Sequence, residues 1–185
     1  MVNLHEVSAL QRIDVNETTY IRPLQDEDAG AMLAILEADT SIREQVAAAA
    51  RMRDKTGVEN EVKFYQTSPD LIRYSIVHNQ EVVGLVSFWS DGGYFDTEPI
   101  KDGYGFGYFL SPSVRGKGII TNTIQKLMNV ACTELPVRAF IAFCEDDNNA
   151  SIAVLKRLGF NPTDETFIEP QHGWTERRYI LKVSA

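Results

Sequence analysis

The stretch that decides the fold is residues 105–120, GFGYFLSPSVRGKGII. Its first six residues are predicted to form a strand, and its end begins a helix with one apolar face. Gly116 and Gly118 therefore lie at a helix N-terminus, where backbone N–H groups have no intrahelical partner and the helix dipole is positive. Arg115 and Lys117 add positive charge beside them. This arrangement predicts a loop that binds phosphate groups.

Two better-known phosphate loops do not fit this stretch. A Walker A loop needs Ser or Thr directly after Gly-Lys, but Gly118 follows Lys117. A dinucleotide-binding fingerprint needs a third glycine, and Thr121 occupies that position. The loop therefore indicates neither an NTPase nor a dinucleotide-binding fold.

Strands and helices are predicted on both sides of the loop. Before it, the pattern predicts a strand at 19–24, a helix from Asp26, a second helix at 41–53 and a hairpin of 71–77 with 82–89, joined by a four-residue turn. After it, the pattern predicts a helix at 120–133, a buried strand at 137–143, a helix at 148–158 and a closing hairpin within 167–183. The central order is therefore strand, glycine loop, helix, strand, helix.

Length and composition indicate one domain. The chain has 185 residues, 44% of them hydrophobic, so residues 1–185 are assigned to a single domain with its core at about 18–183. No apolar run reaches the roughly 20 residues of a membrane span, and the N-terminus lacks a basic region followed by an apolar stretch, which predicts a cytoplasmic protein. Cys132 and Cys144 form no C-x-x-C pair and are predicted to be reduced thiols in the core.

The acidic charge balance limits the possible partners. The formal net charge is −8, and the sequence pI is about 4.9. Nucleic acids and anionic membranes require a basic field, so neither is expected as a partner. The acidity attracts cations such as protonated amines, although it can equally serve solubility alone. The His and Cys residues are too scattered for metal-ligand spacing, so no metal is expected.

Two motifs carry a family resemblance. Residues 115–120, RGKGII, resemble the Q/R-x-x-G-x-G/A signature of the GNAT N-acetyltransferases, although Ile120 stands where Gly or Ala is usual. Residues 148–160 contain N-x-x-S and V-L-x-x-L-G-F, which is similar to the ribosomal-protein N-terminal acetyltransferase branch. The resemblance spans about residues 20–183. It implies an α/β (α+β) fold, with a mixed, mostly antiparallel twisted sheet of about six to seven strands and about four flanking helices.

The resemblance also implies acetyl-coenzyme A as cosubstrate and a primary amine as acceptor. It places the pyrophosphate on the glycine loop and the pantetheine arm along the preceding strand. The implied coenzyme-binding residues are Tyr108, Phe109, Leu110, Arg115, Gly116, Lys117, Gly118, Ile119, Ile120, Thr121, Asn148 and Ser151. Many of these enzymes use a tyrosine acid where this chain has Leu155, so the resemblance implies Ser151 as the group that protonates the departing thiolate. Ser151 and Asn148 can also be ordinary helix-start residues.

The sequence leaves the general base and the acceptor open. The candidate bases are Asp91, Asp96, Glu98, Asp102 and Glu145, and a chain of water molecules can replace them. The predicted acceptor-lining residues are Trp89, Tyr94 and Phe95.

The missing base favours an acceptor that is already partly neutral. An α-amino group has a pKa of about 8, whereas that of lysine is about 10.4, so direct attack by a protein or peptide N-terminus in a ternary complex is predicted. A small amine, amino sugar or antibiotic is the alternative acceptor, and a catalytically silent acyl-coenzyme A binding module is the alternative function. The protein is expected to be a monomer or a homodimer.

Overall fold

An eight-stranded sheet forms the centre of the computed structural model, which describes residues 2–90, 98–168 and 173–183. Its strands are β1 (Ile13–Asn16), β2 (Thr19–Pro23), β3 (Leu71–His78), β4 (Glu81–Ser90), β5 (Gly103–Leu110), β6 (Ala139–Glu145), β7 (Asn161–Ile168) and β8 (Thr175–Lys182). They lie in the order β1-β2-β3-β4-β5-β6-β8-β7. All neighbours are antiparallel except β5 and β6. The predicted mixed, mostly antiparallel sheet is confirmed, with eight strands in place of six or seven.

Two apolar cores cover the two faces of the sheet. The helices of the described residues are α1 (Ala29–Ala38), α2 (Ile42–Gln45), α3 (Ala47–Arg51), α4 (Lys55–Gln66), α5 (Ile119–Glu134) and α6 (Asn149–Arg157). One core joins α1 and α4 to Leu85 and Phe109. The other core joins α5 and α6 to Val86 and Phe106. These two side chains point to the opposite face of the sheet from Leu85 and Phe109, because side chains alternate between the two faces along a strand. The candidate site lies in the middle of the sheet, where β5 and β6 separate.

The sequence pattern missed α4 and predicted a single helix, at 41–53, between the helix that begins at Asp26 and the β3–β4 hairpin. In the structure that region holds α2 and α3, and Gly57 lies in the first turn of α4, where its N–H donates to Asp54 Oδ1 at 2.8 Å. A Cβ at Gly57 would lie 3.3 Å from the Cα of Met52 and against the carbonyl of Arg51. The glycine therefore permits the close approach of α3 to α4, and it does not end a helix.

The β3–β4 hairpin turns more tightly than predicted. Asn79 and Gln80 form a two-residue connection, with φ values of 50° and 69°. Two successive residues with positive φ are the mark of the type I′ turn, whose twist matches that of the flanking strands. The hairpin itself is confirmed, and the predicted four-residue turn is wrong because its outer two residues pair as part of the strands.

A buried carboxylate ties α1 to the sheet. Asp28 is 3% exposed and accepts hydrogen bonds from Arg22 at 2.7 and 2.8 Å, from Ser75 Oγ at 2.6 Å and from the N–H of Gln25 at 3.0 Å. Burial alone would raise the pKa of Asp28, but the bonds from Arg22, Ser75 and Gln25 outweigh it and lower the pKa below its ordinary value. Ionised Asp28 therefore stabilises the folded state.

The free energy of unfolding should depend on pH through the ionisation of Asp28. Because its folded-state pKa is depressed, the stabilisation is present above the ordinary carboxyl pKa of about 3.9 and is lost as pH falls through the folded value. We expect Asp28→Asn to lower the free energy of unfolding at pH 7, and the difference from the native chain to narrow as the pH falls below about 4. Urea unfolding at each pH measures it. A difference that stays constant with pH would contradict this role.

Candidate active site

Strands β5 and β6 begin side by side and then separate. Their parallel register has three pairs, the last of which joins Gly105 to Ile141. Beyond it, β5 continues against β4 to Leu110, and β6 continues against β8 to Glu145. The ends of the two strands therefore form the walls of a wedge. This wedge belongs to a cleft with a volume of about 1390 Å³.

The predicted glycine loop lines the same cleft. Gly116 and Gly118 have φ values of 76° and 75°, in the left-handed region that favours glycine. Gly118 is the N-cap residue of α5 and has no side chain with which to cap that helix, so the N–H groups of its first turn are available to a ligand. A Cβ at Gly116 would meet no atom within 4 Å, and one at Gly118 only Asn122 Nδ2 at 3.9 Å. The space above the loop is open, as an anion cradle requires.

The two cations of the loop differ in position. Arg115 lines the cleft, donates from Nε to the carbonyl of Leu110 at 3.0 Å and places Nη1 2.7 Å from Asp39 Oδ2. Lys117 donates from Nζ to the carbonyl of Ser113 at 3.1 Å and is not among the residues of the cleft wall. The structure thus brings all of the predicted coenzyme-binding residues except Lys117 to the cleft.

Asn148 and Ser151 lie at the start of α6 on the cleft wall. Asn148 Oδ1 accepts the N–H of Ser151 at 3.1 Å, so Asn148 caps the helix. Ser151 is the third helical residue, and its hydroxyl is not the cap. Its side chain is half-buried and lines the cleft. Of the two ordinary roles that the sequence allowed, Asn148 has the capping role and Ser151 does not.

Two further protic groups, Tyr108 and Cys144, line the same cleft as Ser151. Burial raises the pKa of Tyr108 to about 12, an effect that the nearby Ser151 side chain partly offsets. Burial also raises the pKa of the Cys144 thiol to about 12, with further contributions from Glu176 and Glu145. At neutral pH both groups therefore stay protonated.

Trp89 lies on the opposite face of the sheet from Tyr108. It pairs across the strands with Gly105, and a Cβ at Gly105 would overlap its indole ring. The indole also lies 3.8 Å from the position of a Cβ at Gly107. Gly105 is therefore needed for the tryptophan to lie across the strand, whereas a Cβ at Gly107 would only reach ordinary contact distance. Trp89, one of the three predicted acceptor-lining residues, lines the cleft, whereas Tyr94 and Phe95 lie outside the described residues.

A buried ion-pair cluster forms the wall beyond Trp89. Glu61 of α4 contacts Arg73 of β3, and the two side chains are 6% and 5% exposed. Arg51 of α3 donates to the same carboxylate at 2.6 and 3.3 Å. All three residues line the cleft. The cluster joins α3 and α4 to β3 and so holds these two helices against the sheet.

Two carboxylates face each other across β6 and β8 on the cleft wall. Glu145 pairs with Glu176, and alternation along β6 places both on the opposite face from Cys144. Burial, together with Asp147, raises the pKa of Glu145. Glu145 was a predicted base candidate, whereas Glu176 was missed. Its position opposite Glu145 depends on the pairing register of β8 against β6, which no local pattern predicts.

The other base candidates are not placed at the cleft by the described residues. Asp102 Oδ2 lies 3.4 Å from Arg138 Nε, and neither Asp102 nor Glu98 lines the cleft. Asp91 and Asp96 lie outside the described residues. Within residues 2–90, 98–168 and 173–183, no group of His, Cys, Asp and Glu is arranged to hold a metal ion. No helix in those ranges has the length and apolar character of a membrane span.

Comparison with known proteins connects this cleft to a family. A family model described as an acetyltransferase (GNAT) domain matches residues 19–161. The ribosomal-protein-serine acetyltransferase of Escherichia coli (strain K12) is 31% identical over 87 residues, which are 47% of this chain and 45% of that enzyme. The matched part thus spans less than half the length of this curated relative.

Solved structures share the fold. RimL, a ribosomal L7/L12 alpha-N-protein acetyltransferase solved with coenzyme A, has a TM-score of 0.78 at 20% identity, over 93% of this chain and 98% of that one. MccE, the microcin C7 self immunity acetyltransferase solved with acetyl-CoA and AMP, has a TM-score of 0.77 at 21% identity, over 91% and 94% of the two chains. The glycine loop, the diverging strands and the matched family model together show that this chain belongs to the GNAT acetyltransferase family.

Proposed function

We propose that the protein transfers the acetyl group of acetyl-coenzyme A directly to the α-amino group of a protein or peptide. The observation that carries the proposal is one cleft that holds both an uncapped glycine loop and the open edge of β5. Membership of the GNAT family supports acetyl transfer. The partial similarity to the Escherichia coli ribosomal-protein-serine acetyltransferase supports a protein acceptor.

The residues of the cleft fit coenzyme A in two parts. The N–H groups of the first turn of α5, from Ile119 to Thr121, have no partner within the helix and would hold the pyrophosphate in the open space at the loop. Tyr108 to Leu110 form the part of β5 that β6 leaves open, and their backbone groups would hydrogen-bond the extended pantetheine arm. Arg115 would add charge at the pyrophosphate while Asp39 holds its guanidinium in place.

Direct transfer is favoured because the cysteines are poor nucleophiles. Cys144 lines the cleft but is kept as a neutral thiol by its raised pKa, and Cys132 lies on α5 away from the cleft wall. The amine nitrogen would therefore attack the acetyl carbon itself, with loss of one amine proton and cleavage of the carbon–sulfur bond. Holding the two reactants together can contribute roughly 7–11 kcal/mol to such a step.

Two carboxylates on the Trp89 side of the cleft would bind an amine acceptor. Glu145 and Glu176 lie on the side of the sheet that carries Trp89, away from Ser151 and α6. They would attract the protonated amine, and the raised pKa of Glu145 suits a group that accepts a proton. An α-amino group with a pKa of about 8 loses its proton more easily than a lysine, which favours a protein or peptide N-terminus.

Ser151 is proposed as the donor to the departing sulfur. Ser151→Ala should lower kcat about 100-fold, the usual contribution of a positioned acid, and leave the Kd for acetyl-coenzyme A within about twofold of the native value. Stopped assays of thiol release measure kcat, and calorimetry measures Kd. Thr133→Ala removes an exposed hydroxyl of α5 that bonds Asn129, and it is the matched control. An unchanged kcat in Ser151→Ala would remove Ser151 from the mechanism.

A panel of acceptors tests the proposed function. The purified protein is assayed for thiol release from acetyl-coenzyme A with free N-terminal peptides, the same peptides with blocked N-termini, polyamines and amino-sugar antibiotics. Turnover confined to the free peptides is the expected result. Turnover on the amino sugars or polyamines would instead assign a small-amine acetyltransferase. Saturable coenzyme binding with no turnover on any amine would indicate a silent binding module.

A further inference from the structure

The side chain of Tyr108 has a position that its strand alone does not explain. Alternation along β5 places Phe106 and Tyr108 on the same face of the sheet, and Phe106 contacts the ring of Phe160, which follows α6. Tyr108 stacks on Phe106 with ring centroids 6.5 Å apart and lines the cleft. Its phenol ring therefore points from the open edge of β5 towards the start of α6, where Ser151 lies.

The hydroxyl of Tyr108 is buried beside Ser151. Its oxygen has no solvent contact, and by distance and angle it makes no hydrogen bond to another described residue. The Ser151 side chain is nevertheless close enough to lower the Tyr108 pKa, and the Cys144 thiol is near enough to raise it. In the resting arrangement the two hydroxyls are neighbours that need a small adjustment to bond. A buried hydroxyl without a partner is costly, which favours that adjustment.

The acidities of the two hydroxyls favour different roles for Ser151 and Tyr108. A serine hydroxyl is a weaker acid than a phenol, so Ser151 becomes a better donor when its oxygen accepts a second hydrogen bond. We propose that Tyr108 is a positioning residue that donates its O–H to Ser151 Oγ and so directs the serine proton at the departing sulfur. Tyr108 keeps its own proton, and Ser151 regains one as the amine releases one. This inference rests on the proposed acetyl transfer with Ser151 as the donor.

A double-mutant cycle separates this role from a structural one. Tyr108→Phe keeps the ring and removes the hydroxyl. We expect it to lower kcat about fivefold to tenfold, the equivalent of one hydrogen bond, with the Kd for acetyl-coenzyme A and the melting temperature unchanged. In the Ser151→Ala background the same change should have no further effect on kcat. Tyr104→Phe is the matched control, because Tyr104 is buried on the same face of β5 but does not line the cleft.

Each outcome decides a different point. If Ser151→Ala lowers kcat and Tyr108→Phe does not, the proposed donor stands and the positioning role of Tyr108 is overturned. If Tyr108→Phe lowers kcat by the same factor in both backgrounds, Tyr108 acts independently of Ser151, which also overturns the role. If neither Ser151→Ala nor Tyr108→Phe changes kcat, both the donor assignment and the positioning role fail, whereas loss of turnover with all acceptors in the native protein would reject the proposed function itself.

Discussion

Gly118→Glu is expected to abolish detectable binding of acetyl-coenzyme A. The native residue has a φ of 75°, and a Cβ there would enter the open space that the pyrophosphate needs. A carboxylate at this position would also repel the anionic ligand at the positive end of the α5 dipole. Isothermal titration calorimetry should show a Kd raised at least about 100-fold, a difference of roughly 2.7 kcal/mol.

Two control variants separate the reasons for this loss. Gly118→Asn adds a neutral side chain to a backbone conformation that asparagine tolerates, so it tests size without charge. Gly30→Glu adds the same charge on the exposed surface of α1, where a Cβ would meet nothing within 4 Å, and should leave binding unchanged. Native affinity in Gly118→Glu would show that the coenzyme is held elsewhere in the protein.

Among the variants proposed for this protein, Glu61→Ala should lower the free energy of unfolding most. Its carboxylate is 6% exposed and pairs with Arg73, which is 5% exposed, and with Arg51. Removing it leaves the Arg73 guanidinium buried without this counter-charge, which typically costs about 3–5 kcal/mol. Because the cluster joins α3 and α4 to β3, the acceptor side of the cleft should loosen as well. Chemical unfolding measures the free energy, and acceptor KM reports the effect on the cleft.

The same helix supplies the comparison for this variant. Glu59 of α4 lies 3.6 Å from Lys55 at the surface, in an exposed pair that contributes little. Glu59→Ala should therefore change the free energy of unfolding by no more than about 0.5 kcal/mol. Glu61→Gln keeps the shape of the side chain and removes only its charge. A loss below about 1 kcal/mol in Glu61→Ala would mean that the cluster is not an energetic link between helices and sheet.

The sequence predicted those elements whose signals are local. The glycine loop, the helix after it and the N-x-x-S segment are contiguous motifs, and the structure places nearly all of their predicted residues in one cleft. The helix predicted at 148–158 ends before Gly159, whose φ of 87° agrees with a local rule about helix ends. Motifs of this kind can be predicted from sequence because neighbouring residues alone determine their local structure.

The missed features depend on contacts between distant residues. The polar sequence of α4 hides an apolar stripe of Val58, Val62 and Tyr65 that is meaningful only against the sheet. The Glu61–Arg73 pair joins α4 to the strand that follows it, and the Glu145–Glu176 pair joins β6 to β8, so neither pair is part of a local repeat. The register of a hairpin and the divergence of β5 from β6 are likewise set by the whole sheet.

The proposed donor and its proposed positioning residue could be predicted only in part. Ser151 follows from a motif, but the position of Tyr108 beside it follows from the alternation of β5 and the packing of α6. A tyrosine on a glycine-rich strand carries no sequence signal of its own for catalysis. The structure is needed to bring its hydroxyl to the start of another helix.

The position of the transferred acetyl group tests the proposed function most directly. The protein is incubated with isotope-labelled acetyl-coenzyme A and a peptide that carries both a free α-amino group and one lysine, and tandem mass spectrometry locates the label. Acetyl transfer to the α-nitrogen, absent from Gly118→Glu, is the predicted result. Label on the lysine side chain would contradict the proposed acceptor, and transfer at the native rate by Gly118→Glu would contradict the assignment of the coenzyme site.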